Sequence, residues 1–127
     1  MEMIIDFPGG SQVDAHFEGF TVRTDQPPVA SAPTPFDVFL SSIGTCAGIY
    51  ALNFCRQRGL QTEGLKIVQK VSRDPTSHMV DRIALDIQLP AGFPEKYREA
   101  IINSAQLCAV KKHLERPPQF DITTSVT

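Results

Sequence analysis

The sequence predicts an α+β protein in which antiparallel β-sheets surround one long buried helix, in the order βββ-α-ββ-α-α-β. Three observations predict this class. Apolar and polar residues alternate in several short segments, as in half-buried strands. The segment 36–54 is apolar at helical spacing on almost every face. Four prolines between positions 27 and 35 separate the first strands from this helix.

The first 24 residues read as three short strands. Residues 3–7 form the first and end at the turn Pro8-Gly9-Gly10. Residues 13–17 alternate strictly between apolar and polar side chains, which predicts a second strand with one buried face. Glu18 and Gly19 then turn the chain into a third strand, residues 20–24.

The long helix has recognisable ends. Thr34 is a candidate N-cap, Pro35 suits the first turn, and Gly59 follows a basic last turn as a stop signal. Its apolar positions cover nearly every face, so the helix should be buried in a core or at a subunit contact. A chain of 127 residues is too short to enclose it alone, and we therefore expect an obligate homodimer.

The second half of the chain repeats the alternation. Strands are predicted around residues 65–71 and 83–89, joined by a turn at 74–77. Helical segments follow at 95–105 and 107–114. A closing strand is predicted at the end of the chain, where one face carries Phe120, Ile122, Thr124 and Val126.

Composition excludes several classes of protein. The length fits a single domain, residues 1–127, and 42% hydrophobic with 20% charged residues is ordinary globular composition. A net charge of -2 argues against a nucleic-acid partner. Prolines and polar residues interrupt the apolar region, and no signal peptide is visible at the start, so we expect no membrane partner and a cytoplasmic location. In the reducing cytoplasm, an odd number of cysteines, here three, is not expected to form a structural disulfide framework.

Cys46 and Cys55 lie in the long helix, nine residues apart. At about 100° per residue they point to opposite faces, so they cannot pair with each other. Cys46 lies among small residues that allow close approach of another segment, whereas Cys55 is expected to be an inert core residue.

Cys108 stands at the junction between the two predicted C-terminal helices, before Lys111 and Lys112. A helix start and nearby lysines are expected to lower the pKa of its thiol, although a cysteine here could equally be a packed core residue. We expect neither a metal site nor a cofactor, because the histidines are scattered and no nucleotide or serine-hydrolase motif is present.

Three features resemble the osmotically inducible protein C and organic hydroperoxide resistance (OsmC/Ohr) family. Pro33-Thr34-Pro35 opens a buried helix with Cys46 eleven residues after Pro35. The segment NSAQLCAVKKHLE resembles the family's second cysteine motif, with Cys108 in the cysteine position. The element order matches over essentially the whole chain.

The resemblance implies an intertwined homodimer with two interfacial sites and a thiol-dependent hydroperoxide reductase activity. It implies that Cys46 attacks a hydroperoxide, that Cys108 resolves the sulfenic acid as a disulfide, and that an external thiol restores the pair. We expect Cys46 to be the more buried cysteine, close enough to Cys108 for a disulfide.

Several positions differ from the family pattern, which makes this a divergent member. Phe36 stands where active members have a glutamate, and we expect Phe36 and Phe39 to line an apolar substrate pocket. Ser11 stands where they have an arginine, so Arg23 is our candidate cation for the site. Ala109 replaces the motif's proline.

Two functions therefore compete. The retained cysteine pair favours a hydroperoxide reductase in oxidative-stress defence. The missing glutamate favours a non-catalytic dimeric binding protein, whose interfacial apolar pocket holds a small ligand and whose cysteines are structural or redox-sensing.

Overall fold

The computed structural model describes residues 1–126 and shows an α+β fold with antiparallel sheets and three α-helices, which confirms the predicted class. The chain forms two compact units, Met1–Ser42 and Ile43–Thr127. A single domain over residues 1–127 stays a prediction. The longest helix begins in the first unit and continues into the second.

The first unit contains a three-stranded antiparallel sheet. Its strands are β1 (Ile4–Gly9), β2 (Gln12–Phe17) and β3 (Phe20–Thr24), in the order β1-β2-β3. Glu18 and Gly19 both have positive φ, +48° and +81°, as a two-residue hairpin turn between twisted strands requires. The turn that the sequence predicts at these residues is confirmed.

One face of this sheet groups polar side chains that are distant in sequence. Asp6 lies opposite Asp14. The Asp6 carboxylate accepts a hydrogen bond from His16 Nε2 at 3.1 Å, and His16 Nδ1 shares one with the Thr21 hydroxyl at 3.0 Å. Ligand atoms of the two aspartates and His16 lie within 4.8 Å of one another, which is close enough for one ion. Sequence spacing did not reveal this cluster, because cross-strand pairing creates it.

Asp25 anchors the proline-rich connector of the first unit. Its carboxylate is buried and accepts hydrogen bonds from the backbone N–H groups of Gln26 and Ser31 and from the Ser31 hydroxyl. The Ser31 and Gln26 hydrogen bonds outweigh burial and lower the pKa of Asp25. The connector is thus held without regular secondary structure, as its prolines predicted.

Helix α1 (Pro35–Gln57) has the predicted ends. The Thr34 hydroxyl oxygen accepts a hydrogen bond from the Asp37 N–H at 3.1 Å, as an N-cap should. Gly59, at φ +63°, follows the last turn, and the Leu60 N–H returns to the Cys55 carbonyl at 2.9 Å.

Burial of α1 within the chain differs from the expectation. Only five of its residues are buried, namely Ile43, Ala47, Ala51, Phe54 and Cys55. Apolar side chains on its other faces, including Phe36 and Ile49, are exposed. By length and composition α1 could cross a membrane, a test that core helices of water-soluble proteins also pass. The single chain therefore covers one side of this helix and leaves apolar surface uncovered.

The second unit pairs β4 (Lys66–Arg73) with β5 (Val80–Gln88) as an antiparallel hairpin. Ile67 lies opposite Ile87 and Val71 opposite Ile83, so these apolar residues share one face. At the connecting turn the Asp74 carboxylate accepts hydrogen bonds from two backbone N–H groups, as the predicted turn requires.

Two helices follow the hairpin. Residues Glu95–Tyr97 form a 3₁₀ turn that leads into α2 (Arg98–Ala105), and α3 covers Ala109–Glu115. The predicted helices exist, although the first begins as a 3₁₀ turn and the second starts two residues later than predicted. Ala51, Phe54, Cys55 and Ile101 form the core, and Phe54 meets Tyr97 edge to face at 5.8 Å.

The predicted closing strand is wrong for the single chain. Residues 117–126 form no strand or helix, and the side chains of Phe120 and Ile122 are 82% and 94% exposed. A strand needs the backbone of a neighbouring strand to hydrogen-bond with. In the described residues of this chain, no strand edge pairs with the segment.

Candidate functional site

Helix α1 and the start of α3 bring two cysteines together in the second unit. Cys46 lies midway along α1, and Cys108 is the extended residue, φ -49° and ψ 126°, directly before α3. Their side chains share a hydrogen bond. The sulfur atoms are therefore close neighbours, although 61 residues lie between the two cysteines in the sequence.

Cys46 lies where hydrogen-bond donors converge on its sulfur. Burial disfavours the thiolate, but the Cys108 thiol and the backbone N–H groups of Val110 and Ala109 donate hydrogen bonds to it. Together these donors outweigh burial and lower the pKa of Cys46 below its ordinary value. The Cys46 thiolate is thus favoured by backbone donors and a neighbouring thiol rather than by a cation.

Cys108 shows the opposite shift. Burial raises the pKa of its thiol, and the hydrogen bond and charge of Cys46 raise it further. The backbone N–H groups of Lys111 and Val110 act against these effects and do not overcome them. The expectation that the pKa of Cys108 is lowered is wrong, because burial and the neighbouring Cys46 sulfur outweigh the N–H groups of the first turn of α3.

The relative burial of the pair also differs from the expectation. Cys46 is half-buried, whereas Cys108 is 2% exposed. Cys46 is consequently both the more exposed residue of the pair and the one whose thiolate is favoured, a combination typical of reactive cysteines.

Cys55 lies in the core of the second unit with no exposed surface. Burial raises the pKa of its thiol, and the positive charge of Arg58 only partly opposes this. The Arg58 guanidinium lies 3.7 Å from the centre of the Phe54 ring, so it is already engaged in a cation–π contact. These surroundings are those of a packed cysteine.

An aliphatic cavity of about 590 Å³ lies beside the pair, within the second unit. Strand β5 and the three helices contribute its walls, which include Ile43, Ile83, Leu85, Ile101 and Cys108. The size is that of a small-molecule site, and the aliphatic walls suit an apolar ligand. Apart from Cys108, sequence analysis did not identify these residues as part of a site, since helical and strand periodicity marks them only as core.

Three other predicted site residues belong to the first unit. Phe36 and Phe39 are neighbours on the first turns of α1, with ring centres 5.5 Å apart. Arg23 lies in β3 opposite Asp14. The cavity residues all come from the second unit. The roles of Phe36, Phe39 and Arg23 in the site therefore stay predictions.

The site residues that the sequence analysis missed are two backbone groups, the N–H groups of Ala109 and Val110. Cys108 before a helix was the available signal, because a helix start presents free N–H groups. Which of the two sulfur atoms accepts hydrogen bonds from these N–H groups depends on how α1 packs against α3, and the sequence does not show this packing. A thiolate beside a neutral thiol can undergo reversible oxidation to a disulfide, so the arrangement supports redox chemistry.

Comparison with known proteins agrees with this fold. No curated protein matches the chain. The structure is similar to an OsmC-like protein from Mycoplasma pneumoniae, with a TM-score of 0.73 at 17% identity over 90% of this chain and 86% of the other. It is also similar to an osmotic stress induced and detoxification response protein from Psychrobacter arcticus, with a TM-score of 0.72 at 18% identity. That alignment covers 87% of this chain and 85% of the other.

A third structure, a hypothetical protein from Aquifex aeolicus, aligns with a TM-score of 0.65 at 13% identity over 91% of this chain and 87% of the other. Identities this low support the fold alone. The sequence itself matches the family model for OsmC-like proteins over residues 28–123, a range that includes both Cys46 and Cys108. The chain therefore belongs to the OsmC-like family.

Proposed function

We propose that this protein is a cysteine-based, thiol-dependent reductase of organic hydroperoxides that acts in oxidative-stress defence. Cys46 is the peroxidatic residue and Cys108 the resolving residue. The observation that carries the proposal is the hydrogen-bonded cysteine pair, in which the pKa of Cys46 is lowered and that of Cys108 is raised. This asymmetry supports the two proposed roles.

The proposed reaction has three steps. The Cys46 thiolate attacks the distal peroxide oxygen, the O–O bond breaks, and an alcohol leaves with a proton while Cys46 becomes a sulfenic acid. Cys108 then attacks the Cys46 sulfur and displaces hydroxide as water, which forms a disulfide. Two electrons from an external thiol reductant return both cysteines to the reduced state.

In this chain, backbone N–H groups provide part of the thiolate support that a glutamate and an arginine provide in active members of the family. The resemblance assigns thiolate support to a glutamate and an arginine, whose positions are here Phe36 and Ser11. The N–H groups of Ala109 and Val110 support the thiolate without either side chain. They do not orient a peroxide as an arginine does, so we expect slow reduction unless Arg23 reaches the site.

We further propose that the working form is a cytoplasmic homodimer. Support comes from the apolar surface of α1 and from the C-terminal segment, both of which the single chain leaves uncovered. A second copy would bury both surfaces.

Intact mass spectrometry after one equivalent of cumene hydroperoxide tests the reductase. The parent should lose two hydrogen atoms as a disulfide forms, and Cys108→Ser should gain one oxygen atom. Cys46→Ser should stay unchanged. Cys55→Ala serves as the control variant and should behave as the parent does. Equal loss of peroxide consumption in Cys55→Ala and Cys46→Ser would contradict the assignment.

A second candidate function is a non-catalytic dimeric binding protein, with an apolar pocket and structural or redox-sensing cysteines. The aliphatic cavity of about 590 Å³ favours it, because it can hold a small apolar ligand without any chemistry. Saturable binding of an apolar fluorescent probe, together with no oxidation of Cys46 by the hydroperoxide, would favour this function over the reductase.

A further inference from the structure

Packing places two sulfur ligands side by side between α1 and the start of α3. Cys46 and Cys108 share a hydrogen bond, although 61 residues lie between them in the sequence. Sequence spacing predicted no metal site, because it does not show this contact. Thiolate sulfur is a soft donor that selects soft ions such as Cu(I), whereas Mg²⁺ and Ca²⁺ require oxygen ligands.

We propose that the reduced pair Cys46 and Cys108 binds one Cu(I) ion as a two-coordinate dithiolate. This binding function goes beyond the proposed reductase and does not rest on it, since it involves neither a peroxide nor oxidation of sulfur. The two proposals are therefore tested by separate experiments.

The number of ligands favours Cu(I) over Zn²⁺. Cys55, the third cysteine, lies in the core with no exposed surface. Among residues 1–126, the one group of three neighbouring His, Cys, Asp or Glu ligand atoms lies in the β1-β2-β3 sheet and contains neither cysteine of the pair. Structural zinc sites use four protein ligands. Two thiolates leave Zn²⁺ incompletely coordinated, whereas they suffice for a soft monovalent ion.

Backbone N–H groups support the charge that such a complex carries. The N–H groups of Ala109 and Val110 donate hydrogen bonds to the Cys46 sulfur, and those of Val110 and Lys111 donate to the Cys108 sulfur. Two thiolates and one Cu(I) ion leave one negative charge, whereas a divalent ion would leave none. Hydrogen bonds to ligand atoms stabilise that charge and orient the ligands, so they favour the monovalent ion.

The cavity wall beside Cys108 also suits a soft ion. Ile43 and Ile101 belong to the same wall and offer no oxygen ligand. The ammonium group of Lys111, another wall residue, lies 3.0 Å from the Glu115 carboxylate, so that carboxylate already has a cation. An apolar wall next to a metal ligand limits the access of water and of hard oxygen donors.

Binding exchanges a proton and transfers no electron. The Cys46 thiolate donates a lone pair to Cu(I). The Cys108 S–H bond breaks, its proton goes to solvent, and the resulting thiolate forms the second Cu–S bond. Copper and sulfur keep their oxidation states. Because protons compete with the ion for sulfur, the affinity for Cu(I) should rise with pH.

Anaerobic competition with bathocuproine disulfonate, followed by the absorbance of its Cu(I) complex, tests the ligands. The reduced parent should take up one Cu(I) ion per chain. Cys46→Ser and Cys108→Ser should each weaken the affinity at least about hundredfold, because losing a ligand costs more than losing an outer-shell partner. Cys55→Ala is the control and should bind as the parent does. Parental affinity in either pair variant, or an equal loss in Cys55→Ala, would overturn the proposal.

X-ray absorption at the copper K edge tests the coordination number. We expect two sulfur neighbours and the edge shape of two-coordinate Cu(I). Three or more sulfur neighbours, or nitrogen and oxygen neighbours, would overturn the two-coordinate site. An equimolar amount of Zn²⁺ should leave the bound Cu(I) in place, because the pair cannot complete a zinc site. Displacement by Zn²⁺ would overturn the choice of ion.

A backbone variant tests the N–H donors. Ala109→Pro removes one N–H group that donates to Cys46 and should weaken the Cu(I) affinity roughly tenfold. Ala109→Ser keeps the N–H and should bind Cu(I) as the parent does. Equal affinities for the two variants, both folded by circular dichroism, would overturn the part of the proposal that assigns charge support to this donor.

Discussion

The backbone N–H of Ala109 lowers the pKa of the Cys46 thiol, although the two residues are far apart in the sequence. Its N–H is one of the donors to the Cys46 sulfur, and the residue occupies the first position of α3. The resembling family motif has a proline at this position, and a proline has no N–H to donate. This chain therefore has one donor that the motif lacks.

Ala109→Pro should raise the pKa of Cys46, because it removes that donor while proline remains compatible with the first helical position. At neutral pH, alkylation of Cys46 by iodoacetamide should slow roughly three- to tenfold. Ala109→Ser keeps the N–H and is the control. Equal alkylation rates for Ala109→Pro and Ala109→Ser would contradict the role of this donor.

The Cys108 thiol is the second residue-scale contribution. Cys108→Ala removes its hydrogen bond and should raise the pKa of Cys46, whereas Cys108→Ser keeps a donor and should change it less. The thiolate fraction of Cys46 at a given pH falls when its pKa rises, so the alkylation profile of Cys108→Ala should move to higher pH. Coincident profiles for Cys108→Ala and Cys108→Ser would show that the thiol is not a donor.

At the scale of elements, glycines decide how closely α1 meets β4. A methyl group at Gly48 would lie 3.9 Å from the Ile67 side chain, which is an ordinary contact. A methyl group at Gly44 would collide with the Gln69 side-chain oxygen, which would have to move.

Gly48→Ala should therefore stabilise the protein by about 0.5–1 kcal/mol, because alanine is the better helix former and its methyl group fits. Gly44→Ala should increase the free energy of unfolding by less, since the Gln69 side chain has to shift to make room for the methyl group. Urea unfolding followed by circular dichroism measures both. A destabilised Gly48→Ala would show that another surface, such as a second copy, packs closely against this residue.

At the scale of the whole molecule, uncovered apolar surface predicts self-association. The C-terminal segment alternates as a strand does, and it has no strand partner among residues 1–126 of its own chain. Apolar faces of α1 are also exposed. A second copy could supply both a strand edge and an apolar surface.

We expect a dimer in sedimentation equilibrium at micromolar concentration. Ile122→Lys should weaken it at least about tenfold, since a charge would replace an apolar contact. Thr123→Lys places the same charge on the opposite face of the segment and should have a smaller effect. A folded parental monomer of 14.0 kDa would contradict the prediction of a dimer.

Local patterns were sufficient to predict most elements. Thr34 and Gly59 mark the ends of α1, and Glu18 and Gly19 mark a hairpin turn, because caps and turns depend on neighbouring residues. Alternation likewise predicted β2 and β5. The closing strand failed in the single chain because strand formation also requires a partner, which periodicity does not reveal.

The sequence by itself determined the element order, the caps of α1 and the placement of Cys46 and Cys55 on different faces, since each follows from local geometry. Only the tertiary structure decided the electrostatics of the pair. N–H groups at the start of α3 donate hydrogen bonds to Cys46 and help to lower its pKa, whereas greater burial and the Cys46 sulfur raise the pKa of Cys108. Both results depend on how α1 packs against residues more than sixty positions away, and hydrogen bonds and desolvation act through space.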